Sequence, residues 1–308
     1  RLVARDPSPD VRAACAFNLR PFGTDEAAGR ALLGALGDKD VSTRDAAAQS
    51  FGGFVDAPFK RDLARSVAAR LRAKPGTLAG GPADAADCRA YERVVRAAAA
   101  RALGALQEDD LAVDALHDAL RLDREPLVKR AACAALGCLR HPRSLKPLLA
   151  PLRDKKDATL AEAARAALEG LDYAKLPAIK RDERVLLHGP IFKRKQKLWT
   201  QLKALVLTDA PRLFYVDADS LKCKDCDLRT LEVDAPESKR AATKDLAIVV
   251  PGQGRVRVSL LFGLARDWTM AAGDALAALA TPPSPHVVVT PPPASYRAPS
   301  RRLDAPGD

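Results

Sequence analysis

The chain has 308 residues and a formal net charge of +11, with 47% hydrophobic and 29% charged residues. This balance is typical of a folded protein and excludes a largely disordered one, and the length allows two or three domains. No apolar run approaches the roughly 20 residues that span a bilayer, so any membrane contact must be peripheral. The first residue is Arg1 rather than Met, so we expect a piece of a longer protein, whose missing targeting signals say little about location.

Six cysteines are present. Three of them, Cys15, Cys133 and Cys138, lie in Ala- and Leu-rich helical patterns, where a free cysteine behaves as a small hydrophobic residue. Free thiols are typical of a reducing compartment. We therefore expect the chain to lie in the cytosol or the nucleus.

Residues 1–172 repeat one short pattern, in which a charged residue is followed closely by paired alanines. The usual interval between copies is roughly 33 residues, which is typical of stacked helix pairs. Small residues let two helices approach closely, and the leucines between the copies form an apolar stripe that only a neighbouring repeat can bury. One interval is longer, and its Pro-, Gly- and Ala-rich stretch, 74–87, predicts an inserted loop. The residues that mark the copies are Arg12, Arg44, Arg96, Arg130 and Glu162.

These copies resemble HEAT repeats, whose motif runs from an Asp through Val-Arg to paired alanines. The resemblance covers residues 1–172 and implies an all-α, HEAT-like helical solenoid with a concave face that binds protein partners. Such a surface has no chemistry of its own. Short repeats of this type also occur in phycobilin lyases, but no cluster of Cys and His recurs on one predicted face to favour that activity.

A linker is predicted at 173–183, and after it the helical period gives way to the alternation that is typical of strands. The Pro-Gly-Gln-Gly sequence at 251–254 predicts a hairpin turn. We predict a barrel of seven strands with a C-terminal helix over residues 184–280. The strands are predicted at 185–190, 203–208, 212–217, 226–228, 231–233, 246–250 and 255–261, and the helix at 264–279.

Seven strands followed by one helix that carries Trp268 resemble the pleckstrin-homology domain, whose helix plugs one open end of the barrel. A narrower resemblance covers the first three strands. Gly-Pro at 189–190, Lys-Arg-Lys at 193–195 and Phe-Tyr-Val-Asp at 214–217 are similar to the pleckstrin-homology domain of the phosphoinositide-dependent protein kinase family.

This resemblance implies a site for a 3-phosphorylated phosphoinositide headgroup between the first three strands. Lys and Arg bind the phosphates of such a headgroup by charge and hydrogen bonding. One position departs from the family pattern: Gln201 stands where the family carries a basic residue, two positions before Lys203, and this predicts weaker or less selective binding. The residues that match the family's site are Lys193, Arg194, Lys195, Lys203, Tyr215 and Lys224.

The local charge has the same sign, because residues 190–203 include five basic residues and no acidic one. Near an anionic leaflet each basic residue contributes about 1 kcal/mol, less the effect of screening by salt. Charge alone would therefore hold the chain loosely on a membrane. Three possibilities stay open: a specific phosphoinositide site, nonspecific binding to anionic surfaces, and a barrel with only a structural or protein-docking role.

Other motifs do not support further chemistry. The Cys-Lys-Asp-Cys motif at 223–226 lacks the additional ligands of a zinc site, so we expect no metal and no cofactor. Basic residues are spread over many repeats and aromatic residues are only 5% of the chain, which does not favour nucleic acid as a partner. The Pro-rich stretch 281–308 predicts a disordered tail with polyproline bias.

The expected function is that of a non-catalytic adaptor. Its barrel would dock to phosphoinositide-containing membrane, and its repeats would bind protein partners, in the cytoplasm and at the inner face of the plasma membrane. No kinase signature is present, so we expect no enzymatic activity. The alternatives are a protein–protein scaffold whose barrel binds no lipid, and a regulatory fragment of a larger signalling enzyme.

Overall fold

The computed structural model describes residues 6–73, 85–154, 156–195, 198–235 and 242–280. The predicted tail at 281–308 lies outside these residues, as does most of the predicted inserted loop at 74–87. Residues 85–87 are described, and they open a helix instead of belonging to a loop. The helices are α1 (Pro9–Phe17), α2 (Glu26–Ala35), α3 (Val41–Ser50), α4 (Lys60–Leu71), α5 (Ala85–Leu106), α6 (Asp109–Leu122), α7 (Pro126–Leu139), α8 (Leu149–Leu152), α9 (Ala158–Glu169) and α10 (Ala265–Ala280).

Helices α1 to α9 form a solenoid of two layers. Helices α1, α3, α5, α7 and α9 pack side by side in one layer, and α2, α4 and α6 form the second. Small residues allow the close packing: a Cβ atom on Gly104 of α5 would lie 2.8 Å from the Cα atom of Ala135 in α7. Aspartates cap several helices, as when the side chain of Asp40 accepts a hydrogen bond from the backbone of Thr43 at the start of α3.

Three of the arginines that mark the repeats, Arg12, Arg96 and Arg130, join one repeat to the next. The guanidinium of Arg12 makes two hydrogen bonds, of 2.8 and 2.9 Å, to the carboxylate of Asp38 at the entrance to α3. Arg96 binds Asp123 at 2.7 Å in the same way, before α7. Arg44 instead donates hydrogen bonds to the backbone oxygens of Asp38 and Lys39, before its own helix. At the other three positions the repeated sequence motif is also the link between repeats.

The described residues that follow the solenoid form a closed barrel of six antiparallel strands, with neighbours in chain order. The prediction of seven strands was wrong, because 226–228 and 231–233 belong to one strand. The pairing of this strand shifts register between Asp227 and Glu232, and there the hydroxyl of Thr230 accepts a hydrogen bond of 2.8 Å from the backbone N–H of Val249. The strands are β1 (Val185–Lys195), β2 (Leu198–Thr208), β3 (Leu213–Asp217), β4 (Cys223–Val233), β5 (Asp245–Val250) and β6 (Gly254–Leu260).

The barrel has two apolar faces along β2 and β3. Side chains that point inward, such as Leu205 and Tyr215, pack with Trp268 of α10 in the barrel interior. Side chains that point outward, such as Val206 and Phe214, are fully buried and belong to the same apolar cluster as the solenoid core. The last repeat and the outer face of the barrel therefore share one core.

The segment predicted as a linker, 173–183, is a packed connector. The side chains of Tyr173 and Leu176 are buried in the solenoid core. Glu183 accepts hydrogen bonds from the hydroxyl of Thr208 at 2.5 Å and from the guanidinium of Arg212 at 2.9 Å. Burial by itself would raise the pKa of Glu183, but these bonds outweigh it, so the pKa is lowered and the carboxylate stays charged.

We expect Arg96→Ala to destabilise the chain more than Arg130→Ala. The side chains of Arg96 and Asp123 are 11% and 10% exposed, so the first change leaves a nearly buried carboxylate without its partner, at a cost of about 3 kcal/mol. Arg130 lies 3.7 Å from Asp157 in a more exposed pair, where about 1 kcal/mol or less is at stake. Urea unfolding midpoints measure both costs, and equal shifts would contradict the account.

Stability should decrease as the pH falls below 6.5, because of the titration of His117. Burial, with a smaller contribution from the charge of Arg143, lowers the pKa of His117 from 6.5 to about 4, and its Nε2 lies 3.1 Å from the buried hydroxyl of Ser144. The unfolded chain binds the proton more tightly, so this contribution is complete above pH 6.5 and is lost as the pH falls toward 4. The slope is at most about 1.4 kcal/mol per pH unit. A His117→Gln variant should show a flatter stability profile over this range, and an unchanged profile would refute the assignment.

Candidate functional site at the barrel mouth

Three connections meet at one end of the barrel: those from β1 to β2, from β3 to β4 and from β5 to β6. This end, which we call the mouth, is defined by the described residues 193–195, 198, 217–223 and 250–254. The alternation of side chains along the strands sends Lys193, Lys203 and Tyr215 to the inner side of the barrel, together with the buried Ile191 and Leu205. The mouth is therefore lined with polar groups above an apolar interior.

Tyr215 is at the centre of the mouth. Its side chain is only 4% exposed, and the ammonium groups of Lys193 and Lys203 lie 5.0 and 5.1 Å from the centre of its ring. Both distances are within the range of cation–π attraction. The phenol donates a hydrogen bond of 3.3 Å to the amide oxygen of Gln253, and Lys193 donates to the same oxygen and, at 3.4 Å, to the phenol. Burial raises the pKa of Tyr215, so the phenol stays neutral.

Lys203 forms an ion pair inside the mouth. Its ammonium is 2.7 Å from the carboxylate of Asp217, and the residue is only 7% exposed. The bond from Lys203, followed by the backbone bond from Ser220, holds the pKa of Asp217 well below its usual range. The same carboxylate accepts bonds from the backbone and the hydroxyl of Ser220, which closes the turn between β3 and β4. The charge of Lys203 is thus neutralised within the protein.

The remaining residues that the sequence singled out lie on β1 and β4. Lys224 is half-buried and lies opposite Tyr215 in the pairing of β3 with β4. Arg194 and Lys195 belong to β1, but their side chains are outside the described part of the structure. Lys193, Lys203, Tyr215 and Lys224 therefore come together at the mouth, and Gln201 lies beside them, opposite Lys193.

Sequence reasoning missed Gln253, which it treated only as part of a hairpin turn. Gly252 and Gly254 flank it with φ angles of +73° and +71°, values that favour glycine. These glycines allow the tight turn that brings the Gln253 amide to Lys193 and Tyr215. The signal that could have revealed it is topological, because the turn from β5 to β6 falls at the same barrel end as the Lys-Arg-Lys run.

The Cys-Lys-Asp-Cys motif does not form a pair of thiols. Cys223 packs toward the core shared with the solenoid, whereas Cys226 points into the barrel interior. Burial raises the pKa of Cys226 to about 12, so its thiol is protonated. Within the described ranges, no group of three or more His, Cys, Asp or Glu side chains is arranged to hold a metal ion.

Comparison with protein families assigns both parts of the chain. A HEAT-repeat family matches residues 88–169, and a pleckstrin-homology (PH) domain family matches residues 176–241. The chain joins HEAT repeats to a PH domain. A search of curated proteins returned no significant match, so the narrower resemblance to the phosphoinositide-dependent kinase is not shown.

Two solved structures overlap weakly with the whole chain. One is that of the N-terminally truncated linker-DH/PH domains of p115-RhoGEF, with 14% identity, a TM-score of 0.26 and coverage of 90% of this chain and 85% of that one. The other is that of the PDZ-RhoGEF DH/PH domains in complex with activated RhoA, with 12% identity, a TM-score of 0.24 and coverage of 87% and 79%. Such low TM-scores carry no argument about this chain.

The HEAT repeats border the mouth of the PH domain. Lys146, which follows the short 3-10 helix Pro142–Ser144, places its ammonium 2.6 Å from the carboxylate of Asp219 in the turn between β3 and β4. Arg153, which follows α8, lies over the ring of Phe192 on β1, 5.4 Å from the ring centre. Two solenoid cations are therefore held against the barrel near its mouth.

A second concave feature lies within the HEAT repeats. Helix α5 extends about two turns beyond the start of α7 when the two are aligned on Arg96 and Arg130. The overhang and the ends of α4 and α6 enclose a cleft of about 730 Å³. Its lining includes Leu71 and Leu122, and Arg89 and Arg124 at the cleft are exposed. Clefts of this size accommodate small ligands or the side chains of a docked peptide.

In the described residues no helix has both the length and the apolar character that crossing a bilayer requires.

Proposed function

We propose that the chain is a non-catalytic adaptor that docks to phosphoinositide-containing membrane through the mouth of its PH domain and binds protein partners through its HEAT repeats. The observation that carries this proposal is the meeting of Lys193, Lys203 and Lys224 around Tyr215 at one end of the barrel. A cluster of cations on rigid strands favours phosphate groups, because charge-assisted hydrogen bonds to phosphate are strong. In this role the chain acts in the cytoplasm, at the inner face of the plasma membrane.

The charge balance at the mouth indicates moderate affinity. Asp217 neutralises Lys203, so the attraction to phosphate would come from Lys193 and Lys224 together with Arg194 and Lys195 at the end of β1. Each contributes about 1 kcal/mol near an anionic leaflet. Lys193 has to exchange its bond with Gln253 for one with a phosphate, so part of its contribution offsets the bond that is lost.

The HEAT cleft supports the second half of the proposal. Arg89 and Arg124 are exposed at a cleft that also offers Leu122, which is 66% exposed. The lining balances four arginines with four carboxylates, those of Glu92, Asp118, Asp123 and Glu125, so the cleft suits a protein segment that carries an apolar side chain among polar groups of both charges. The partner surface proposed here is this cleft between helix ends, whereas the sequence pointed only to a concave face in general.

A scaffold whose PH domain binds no lipid is the second candidate. It is favoured by the ion pair of Lys203 with Asp217 and by the bond of Lys193 to Gln253. In this arrangement Lys193 and Lys203 are bonded to groups of the barrel itself, and the carboxylate of Asp217 would repel a phosphate.

Vesicle co-sedimentation at moderate salt separates the two candidates. Lys193→Glu reverses one charge at the mouth, so its affinity for phosphoinositide vesicles should fall roughly 30-fold, which corresponds to about 2 kcal/mol. The matched control is Lys39→Glu, the same charge change at an exposed position in the second repeat, and it should bind like the wild type.

Vesicles of equal charge that contain phosphatidylserine instead of phosphoinositide test selectivity. Tighter binding to the phosphoinositide vesicles supports a specific site. Equal binding to both compositions would reduce the proposal to a nonspecific anionic surface. Lack of binding by the wild type to either would leave the scaffold without lipid.

A further inference from the structure

We propose that the HEAT repeats complete the anion-binding mouth of the PH domain, because Lys146 neutralises a carboxylate on the mouth and Arg153 adds a cation beside it. This inference rests on the proposed docking to an anionic membrane surface. It assigns to the solenoid a direct part in membrane binding, so that both domains face the same bilayer.

The turn between β3 and β4 would be less favourable to an anionic ligand without the solenoid. It carries two carboxylates, those of Asp217 and Asp219, and one exposed cation, Lys222. The first is neutralised from within the barrel by Lys203 at 2.7 Å. The second is neutralised from the solenoid by Lys146 at 2.6 Å. A barrel without the solenoid would therefore present one more negative charge at its mouth.

The pair of Lys146 and Asp219 is open to solvent. The side chains are 61% and 67% exposed, so the pair contributes little to stability. The effect of the pair on binding to an anionic membrane is larger, since each unit of charge near the leaflet changes the affinity about fivefold. The pair is thus better explained by its effect on the charge of the mouth than by a role in holding the two domains together.

Arg153 adds positive charge on the outer side of β1. Its guanidinium lies over Phe192, which directly precedes Lys193 on the strand. The residue is exposed, so the charge is available to solvent while the ring fixes its position. The mouth thereby extends from the first strand onto the end of α8.

The segment that carries Lys146 is held in place by buried groups. Pro142, Ser144 and Leu148 on this segment are buried, and Ser144 bonds His117 of α6. The same apolar cluster includes Val206 on the outer face of the barrel. The position of Lys146 against the mouth is thus set by packing and does not depend on the ion pair alone.

The test measures vesicle affinity of full-chain variants in which the pair is changed one residue at a time and together. Lys146→Gln should weaken binding to phosphoinositide vesicles about fivefold, and Asp219→Asn should strengthen it about fivefold. The double variant restores the charge of the mouth and should bind like the wild type. A matched control is Arg30→Gln, which breaks an ion pair of 2.7 Å with similar exposure (65% and 59%) in the second helix and should leave affinity unchanged.

The double variant distinguishes an effect of charge on membrane binding from a role of the ion pair in holding the two domains together. If Lys146 only held the domains together, the double variant would bind as weakly as Lys146→Gln, and the inference would be overturned. Unchanged binding of Lys146→Gln, with weakened binding of Lys193→Glu, would also overturn it and leave the proposed function intact. Lack of vesicle binding by the wild type would overturn both.

Arg153 is tested in the same assay. Arg153→Gln should weaken binding about fivefold. Arg165→Gln is its control, because Arg165 also stacks on a barrel ring, that of Phe262 at 5.1 Å, but Phe262 follows β6 at the end remote from the turn between β5 and β6. Equal losses for both variants would indicate a shared structural role and contradict the assignment.

Discussion

The apolar contact between the last HEAT repeat and the outer face of β2 and β3 is the interaction on which the rest of the molecule depends. Val206 and Phe214 have no exposed surface, and they belong to the same cluster as Leu148 and Leu168 of the solenoid. A helical repeat cannot bury its own outer face, so an array needs a cap at its end. Here the barrel is that cap, and in return the solenoid covers a barrel face that would be costly to leave in water.

This contact turns two domains into one body with fixed geometry. The packed connector, with Tyr173 buried and Glu183 bonded to Arg212, leaves little freedom between them. An adaptor with this construction holds its protein-binding cleft at a set orientation to whatever its barrel docks on. The same contact places Lys146 beside the mouth, so packing determines the electrostatics of the site.

The sequence predicted the two architectures well, because both depend on local periodicity. It also contained an overlooked sign of the shared core: residues 204–207 and 213–216 are apolar on both faces, which is typical of strands covered on both sides. The partners of the repeat arginines, such as Asp123 for Arg96, were not predictable, because they lie 26 and 27 residues away, in the next repeat. The merging of two predicted strands depends on the Thr230 hydroxyl, which pairs with a distant strand.

Four of the six residues predicted for the candidate site lie together at the mouth, but how their charges are paired was not predicted. Resemblance to a family brought together Lys193, Lys203, Tyr215 and Lys224, and these residues do meet at the mouth. The pairing of Lys203 with Asp217 follows from strand register, which single-sequence patterns do not define. The contribution of Lys146 follows from the packing of one domain on another, which no local pattern records.

Scanning calorimetry tests the central claim, that solenoid and barrel share one core, most directly. The wild type should unfold in a single transition whose calorimetric and van't Hoff enthalpies agree, as expected for one cooperative unit. Val206→Asp places a charge in the shared core without touching the barrel interior, and should lower the transition temperature and split the transition in two. Two separate transitions in the wild type, or a Val206→Asp variant that unfolds as the wild type does, would contradict the account.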